Sequence, residues 1–134
     1  MPSVIELHDS KVRSCIETEG DVTICLSPAI LHRSSGSAGR DIGDVFTLDL
    51  HLTLHDATVI ESFGDLPTAL LDGSVDVDKE SFRNCIPYPL DVMAATKVEF
   101  VDEYGRSIRI SACGLTLTAV SDEKYLESFP GDCG

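Results

Sequence analysis

Three residue types that serve acyl transfer stand side by side near the start of the chain, in His8-Asp9-Ser10. A Ser–His–Asp triad is assembled in space, and its nucleophile also needs a sharp elbow and oxyanion donors. No Gly-x-Ser-x-Gly motif occurs in the chain. We therefore interpret the segment as a turn in which Asp9 and Ser10 bond neighbouring backbone N–H groups and His8 ends a strand.

A second candidate group is formed by Asp49, His51 and His55, which share the polar side of one predicted strand. Residues four apart in a strand are separated by about 13 Å. One zinc ion needs ligands about 2.0–2.2 Å away, so both histidines cannot bind the same ion. At most one of them could pair with a ligand on a neighbouring strand.

The remaining carboxylate and thiol patterns also lack the spacing of a metal site. Asp76 and Asp78 project from one face, and with Asp72 they fail the EF-hand pattern because the glycine and the closing glutamate are misplaced. No Cys-x-x-Cys motif is present among the five cysteines, which are Cys15, Cys25, Cys85, Cys113 and Cys133. The sequence therefore predicts no metal site and no cofactor.

The longest flexible segment runs from Ser34 to Gly43 and is rich in glycine and serine. No Gly-Lys-Ser/Thr follows it, and no helix N-terminus is predicted there to hold a phosphate. It is either a plain connection or a mobile binding element beside Arg33 and Arg40. The candidates for binding a partner or ligand are thus His8, Asp9, His32, Arg33 and Arg40, and no residue is assigned a catalytic role.

The chain is strongly acidic, with 23 Asp and Glu against 10 Lys and Arg and a formal net charge of −13. Such a surface repels nucleic acid and anionic membranes, and it either attracts a basic protein partner or simply keeps the protein soluble. No segment approaches the roughly 20 apolar residues that span a bilayer, and the N-terminal residues lack the features of a signal peptide. We expect a cytoplasmic protein whose cysteines are mostly reduced.

Alternation of apolar and polar residues identifies the elements that position these groups. Phe46 to His55 alternates without a break and predicts a strand with one apolar face. Val12 to Leu26 predicts a hairpin that turns at Thr18–Asp21, and Lys97 to Val120 predicts another that turns at Tyr104-Gly105. The apolar phase of this last segment switches at Cys113-Gly114, which indicates a bulge or bend serving two sheet faces.

These elements predict a single all-β domain over residues 1–134. The expected architecture is an antiparallel β-sandwich or irregular barrel of about eight strands. Ser121 is a suitable N-cap, so residues 121–129 are predicted to form one short C-terminal helix. The exposed edges of a sandwich leave homo-oligomerisation open.

Three short segments carry a resemblance that extends over nearly the whole chain. Glu6-Leu7-His8-Asp9-Ser10, Leu31-His32-Arg33-Ser34 and the segment from Tyr125 to Gly131 together resemble a group of small uncharacterised bacterial proteins. The group has no assigned activity, so the resemblance implies a bacterial cytosolic setting and no catalytic role. Some similar small acidic proteins look like immunity proteins, which bind and neutralise a toxin.

Three functions are compatible with these observations. The leading hypothesis is a non-enzymatic, immunity-like binding protein whose acidic surface meets a basic partner. The alternative is a small-ligand binder of calycin-like shape with a cavity inside its barrel. A hydrolase or isomerase that uses His8, His32 or His51 as a base is the third, and it requires two of these histidines with acids in one cleft.

Overall fold

The computed structural model describes residues 2–38 and 40–130, and this part of the chain contains strands, turns and loops but no helix. The all-β prediction is confirmed, but the predicted count of about eight strands is wrong, because the described residues form thirteen strands, five of them only two to four residues long. The strands of the described residues are β1 (Ser3–Glu6), β2 (Lys11–Thr18), β3 (Asp21–Ser34), β4 (Gly43–His55), β5 (Thr58–Glu61), β6 (Thr68–Val77), β7 (Glu80–Arg83), β8 (Cys85–Tyr88), β9 (Asp91–Val92), β10 (Thr96–Asp102), β11 (Ser107–Ala112), β12 (Gly114–Ala119) and β13 (Lys124–Phe129).

The strands form an open antiparallel sheet in the order β5-β11-β10-β6-β2-β3-β4-β12-β9, with β1, β7, β8 and β13 attached beside this path. Only Lys11 and Val12 of β2 pair with β6, so the sheet divides there into two halves that contribute to one hydrophobic core. Since the two ends of the path do not meet, the barrel alternative is wrong.

The alternating segment from Phe46 to His55 forms a strand with one buried face, as the sequence predicts. Leu48, Leu50, Leu52 and Leu54 of β4 are buried in the core, while the residues between them are partly exposed. Burying one such side chain stabilises the fold by about 1.5–3 kcal/mol relative to leaving it in water. This strand therefore fixes which face of the sheet points to solvent and carries Asp49, His51 and His55 outward.

The hairpin between β2 and β3 turns through Glu19-Gly20, where both residues have positive φ angles, 51° and 88°. Two such residues are typical of a tight hairpin turn, and Gly20 adopts this conformation without strain. The register places Cys15 opposite Ile24 and Cys25 opposite Ser14. Cys15 and Cys25 therefore do not face each other, and both carry free thiols.

The phase switch at Cys113-Gly114 is confirmed as a change of sheet half. β11 pairs with β10 in one half, and β12 pairs with β4 in the other. The β10–β11 turn is tied by the buried carboxylate of Asp102, which accepts bonds from the Thr68 hydroxyl and from Arg106. Burial raises the pKa of Asp102, but these hydrogen bonds outweigh burial and hold the pKa below its ordinary value.

The predicted C-terminal helix over residues 121–129 is wrong. Lys124–Phe129 is instead strand β13, which pairs with β4 from Gly43 to Thr47. The other half of the same β4 edge, from Leu50 to His55, is already paired with β12. A helix would leave the first half of that edge without backbone partners, and satisfying these groups outweighs a modest local helix preference.

Candidate functional site

The turn formed by His8 and Asp9 is confirmed, although Ser10 bonds differently from the prediction. Asp9 has a positive φ angle of 70°. The Ser10 hydroxyl donates to the Glu6 carbonyl at 2.5 Å and accepts from the Ile30 N–H at 3.0 Å, so it ties β1 to β3. His8 Nδ1 lies 2.7 Å from the Leu71 carbonyl oxygen, and this bond raises the pKa of His8.

Glu6 lies between two of the predicted site histidines. Its carboxylate accepts a hydrogen bond from His32 Nε2, and His8 adds a weaker electrostatic contribution. The bond from His32 lowers the pKa of Glu6, against the opposing effect of partial burial. His32 is itself buried, packs edge-on against Phe129, and keeps Nδ1 enclosed without a hydrogen-bond partner among the described residues.

This geometry bears on the hypothesis of a histidine base. His32 is bonded to Glu6 and His8 acts on Glu6 only electrostatically, but one nitrogen of His32 is held by Glu6 and the other is shut off from solvent. A general base must reach the proton that it removes, and neither nitrogen of His32 offers that access. His51 is not brought to this group, because it pairs with Cys25 and Thr118 instead.

Arg33 is committed to holding strands together. Its guanidinium donates two hydrogen bonds to Glu123 at 2.7 and 2.6 Å and one to the Ser3 hydroxyl at 3.1 Å. It also lies over the Phe46 ring, 5.0 Å from its centroid. The ion pair lowers the pKa of Glu123 and raises that of Arg33. We call Glu6, His32, Arg33 and Glu123 the paired end.

Arg40 is separate from the other predicted site residues. It is exposed and lines an open groove of about 490 Å³ with Ser34, Ser35, Gly36 and Asp41. The backbone N–H of Arg40 donates to the Ser37 carbonyl, which closes a turn in the connecting loop. Of the five predicted residues, the structure therefore pairs His8 with Asp9, bonds His32 to Glu6, places Arg33 in a clamp with Glu123 and leaves Arg40 apart.

A group of carboxylates that the sequence did not single out lies at the other end of the β3–β4 pair. The turn at Glu19-Gly20 meets the turn after β4, where Ala57 N–H donates to the Gly20 carbonyl at 2.6 Å. The Asp56 N–H donates to the Asp21 carboxylate at 3.0 Å. We call Glu17, Glu19, Asp21 and Asp56 the acidic end. The sequence signal was available, since residues 14–32 and 41–78 contain no Lys or Arg.

His55 stands within this acidic end. Its Nε2 lies 2.8 Å from the Thr116 hydroxyl, and its Nδ1 lies 3.8 Å from the Asp21 carboxylate. The Thr116 hydroxyl also donates to Asp91 at 3.0 Å. The sequence left open a metal site that one histidine of this strand would share with a ligand on a neighbouring strand, whereas the structure gives His55 a hydrogen bond with Thr116 of β12.

The direction of these hydrogen bonds shows whether Thr116 could act as a nucleophile. The Thr116 hydroxyl donates its one proton to Asp91, so its oxygen accepts the hydrogen bond from His55 Nε2–H. A nucleophilic hydroxyl would instead donate to the imidazole that takes its proton. The arrangement therefore ties β4, β12 and β9 together and orients the carboxylates, rather than activating Thr116.

Comparison with known proteins supplies no function for this chain. Comparison with protein families, with curated proteins and with solved structures finds no match for this chain. In residues 2–38 and 40–130, no three or more His, Cys, Asp or Glu side chains are grouped so that they could hold a metal ion. The same part of the chain has no helix that is long and apolar enough to cross a membrane. The function must be argued from the site itself.

Proposed function

We propose that the protein binds a basic protein partner and that the acidic end is its contact surface. The observation that carries this proposal is the concentration of carboxylates without cationic neighbours: in the described chain, none of Glu17, Glu19, Asp21 and Asp56 forms an ion pair with Lys or Arg. Four of the chain's arginines are meanwhile held by other carboxylates. The carboxylates of the acidic end therefore present unpaired negative charge to solvent.

The acidic end is held on a rigid frame. Glu19 and Asp56 both have positive φ angles, 51° and 48°, and each lies in a turn that is tied to the other turn by hydrogen bonds. Carboxylates that are already positioned lose less conformational entropy when a partner binds. Like charges held close together also gain when an opposite charge approaches, which favours a basic partner over a neutral one.

The open sheet supports this function over the calycin-like alternative. A ligand cavity of that kind lies inside a closed barrel, whereas here the two halves of the sheet enclose a core of fully buried side chains such as Leu26, Leu50 and Phe100. This arrangement supports the sandwich form of the predicted fold. The resemblance noted above adds a bacterial cytoplasmic setting and an immunity-like role to the proposal.

The test compares two variants that carry the same change in net charge. One neutralises the acidic end by Glu17→Gln, Glu19→Gln, Asp21→Asn and Asp56→Asn. The matched control neutralises exposed carboxylates elsewhere, and its substitutions are Asp65→Asn, Asp78→Asn, Glu80→Gln and Glu103→Gln. Each protein is immobilised, exposed to lysate of the source cells, and the retained proteins are identified by mass spectrometry.

We expect one basic protein to be retained by the wild type and by the control but not by the acidic-end variant. Its purified form should then bind the wild type with an association rate that falls as salt is added, because exposed charges are screened within about 10 Å at 0.1 M salt. Equal retention by the two variants, or a retained partner without basic character, would contradict the proposal.

A further inference from the structure

The last strand of the described chain is held by much less buried apolar surface than its neighbour on the same edge of β4. Five of the six residues of β13 are exposed, and only Phe129 is half-buried. β12, which pairs with the other half of that edge, buries Leu115 and Leu117 in the core. Because burial of apolar side chains is the dominant favourable contribution to folding, β13 is the weaker of the two strands.

The start of β13 is held by an ion pair and by ring contacts. Arg33 of β3 donates two hydrogen bonds to Glu123, which directly precedes the strand. The same guanidinium lies over the Phe46 ring, and Tyr125 packs edge-on against that ring with the two centroids 5.9 Å apart. These contacts, made largely by polar and exposed groups, attach the start of β13 to β3 and β4.

An irregularity in the pairing brings the end of β13 to the opposite face of the sheet. In a regular strand, Tyr125 and Phe129 would lie on the same face, because they are four residues apart. The register shifts between Tyr125 and Glu127, so Leu126 has no partner on β4 and the residues after it change face. Phe129 therefore packs edge-on against the ring of His32, with the two centroids 5.0 Å apart.

The contact between Phe129 and His32 covers an unsatisfied polar atom. His32 Nδ1 is enclosed without a hydrogen-bond partner among the described residues, while its Nε2 is bonded to Glu6. A buried polar atom without a partner destabilises the folded state relative to one that reaches water. Because Phe129 packs against this ring, moving β13 away gives the ring access to water and removes part of that cost.

The connection before β13 fixes where the chain can bend. The Val120 N–H donates to the Asp49 carbonyl, and the Ser121 hydroxyl accepts a hydrogen bond from the Asp49 N–H. The chain is therefore tied to β4 as far as Ser121, and a hinge can lie only between Ser121 and the first residue of β13, Lys124. Glu123, which is bonded to Arg33, stands within this hinge.

We propose that β13 is a strap that opens by itself while the rest of the sheet stays folded, and that the Arg33–Glu123 ion pair controls this opening. Opening breaks the backbone hydrogen bonds between β13 and residues 43–47 of β4, whereas residues 50–55 remain paired with β12. It uncovers the His32 ring, which Glu6 holds in place, together with the first half of the β4 edge. The strap therefore controls access to both.

Native-state hydrogen exchange of the full chain, followed by NMR under conditions in which exchange rates report opening equilibria, tests this proposal. Corrected for sequence effects, the amides of β13 that bond to β4 should exchange at least about a hundredfold faster than the amides that join β4 and β12. Within residues 43–47, the N–H groups that bond to β13 should exchange with it, and those that bond to β3 should remain protected.

Two variants separate local opening from global unfolding. Glu123→Gln weakens a contact that exists only when β13 is closed, so it should raise the exchange rates of β13 about tenfold or more. Ile110→Val removes one carbon from a buried side chain in the other half of the sheet, which is intact whether β13 is open or closed. It should raise the rates of globally exchanging amides about threefold or more and leave those of β13 unchanged.

Glu103→Gln, which removes the same charge from an exposed residue on another turn, is the matched control and should leave the exchange rates of β13 unchanged. Wild-type β13 amides that exchange as slowly as those of β12, or β13 rates that rise in Ile110→Val, would show that β13 opens only with the whole chain and would overturn the proposal. Unchanged β13 rates in Glu123→Gln would also overturn it, because the ion pair would then not control the opening. None of these measurements depends on a basic partner.

Discussion

The two ends of the β3–β4 strand pair use charge in opposite ways. Near the end of β3 and the start of β4, Arg33 is bonded to Glu123 and His32 is bonded to Glu6. At the other end, among residues 2–38 and 40–130, the basic group nearest the Asp21 carboxylate is the His55 imidazole, 3.8 Å away, and Asp56 forms no ion pair. The same two strands thus carry charges that hold the fold at one end and charges that face solvent at the other. Under the proposed function, the carboxylates of the acidic end, which hold no Lys or Arg of the described chain, contact a basic partner.

Removing Arg33 should have the largest effect on stability. Arg33→Ala removes the two bonds to Glu123, the bond to Ser3 and the contact with Phe46, and it leaves Glu123 without its cation. We expect the free energy of unfolding in urea to fall by about 2–3 kcal/mol. Arg40→Ala is the control and should change it by less than about 0.5 kcal/mol, since that side chain is exposed. Similar losses for both variants would remove the distinction between the two ends.

The pair formed by Glu6 and His32 should have the next largest effect. His32→Phe keeps an aromatic ring against Phe129 but removes the main hydrogen-bond donor of the partly buried Glu6 carboxylate, which keeps a weaker bond from Asn84. We expect a loss of about 1.5–2.5 kcal/mol, of which adding Glu6→Gln should recover part, because a neutral amide is easier to bury than a carboxylate. A double-mutant cycle from urea unfolding measures this coupling, and purely additive effects would show that the bond contributes nothing.

The hydrogen-bonded carboxylates of the paired end and of the β10–β11 turn predict how stability depends on pH. The folded-state pKa values of Glu6, Glu123 and Asp102 are lowered, so the unfolded chain binds protons more readily than the folded one. Their stabilisation is complete well above the unfolded pKa of about 4 and is lost as pH falls through the lower folded values. In urea titrations from pH 7 to pH 2.5, Glu123→Gln should show a shallower loss than the wild type. Glu103→Gln, which changes an exposed carboxylate, should follow the wild-type curve.

Much of this fold could be predicted because the controlling interactions are local or periodic. Alternation alone assigns Leu48 and Leu50 to the core and His51 to the outer face. The change of phase at Cys113-Gly114 likewise predicts where the chain leaves one half of the sheet for the other. These features depend on the two-residue period of a strand, which a single sequence displays directly.

The features that the sequence did not predict depend on partners far along the chain. Residues 124–129 are a strand only because β4 has an open edge beside them, and nothing local to that segment shows this. The bond between Arg33 and Glu123 and the bond between His55 and Thr116 join residues that lie far apart along the chain. The acidic end was visible in part, as long segments without Lys or Arg, but its assembly required the two turns to meet.

A substitution in the acidic end should change the free energy of unfolding least. The test is whether that free energy rises or falls. Glu19 is exposed, has no cationic partner in the described chain and lies near other carboxylates, so Glu19→Gln should relieve repulsion. We expect the free energy of unfolding to rise by about 0.2–0.5 kcal/mol at low salt and the gain to vanish near 1 M salt, where charges are screened within about 3 Å. Glu103→Gln provides the comparison on another turn. A loss of stability at low salt would mean that Glu19 helps to hold the fold, as Glu123 does, and the acidic end would then no longer be a surface kept free for a partner.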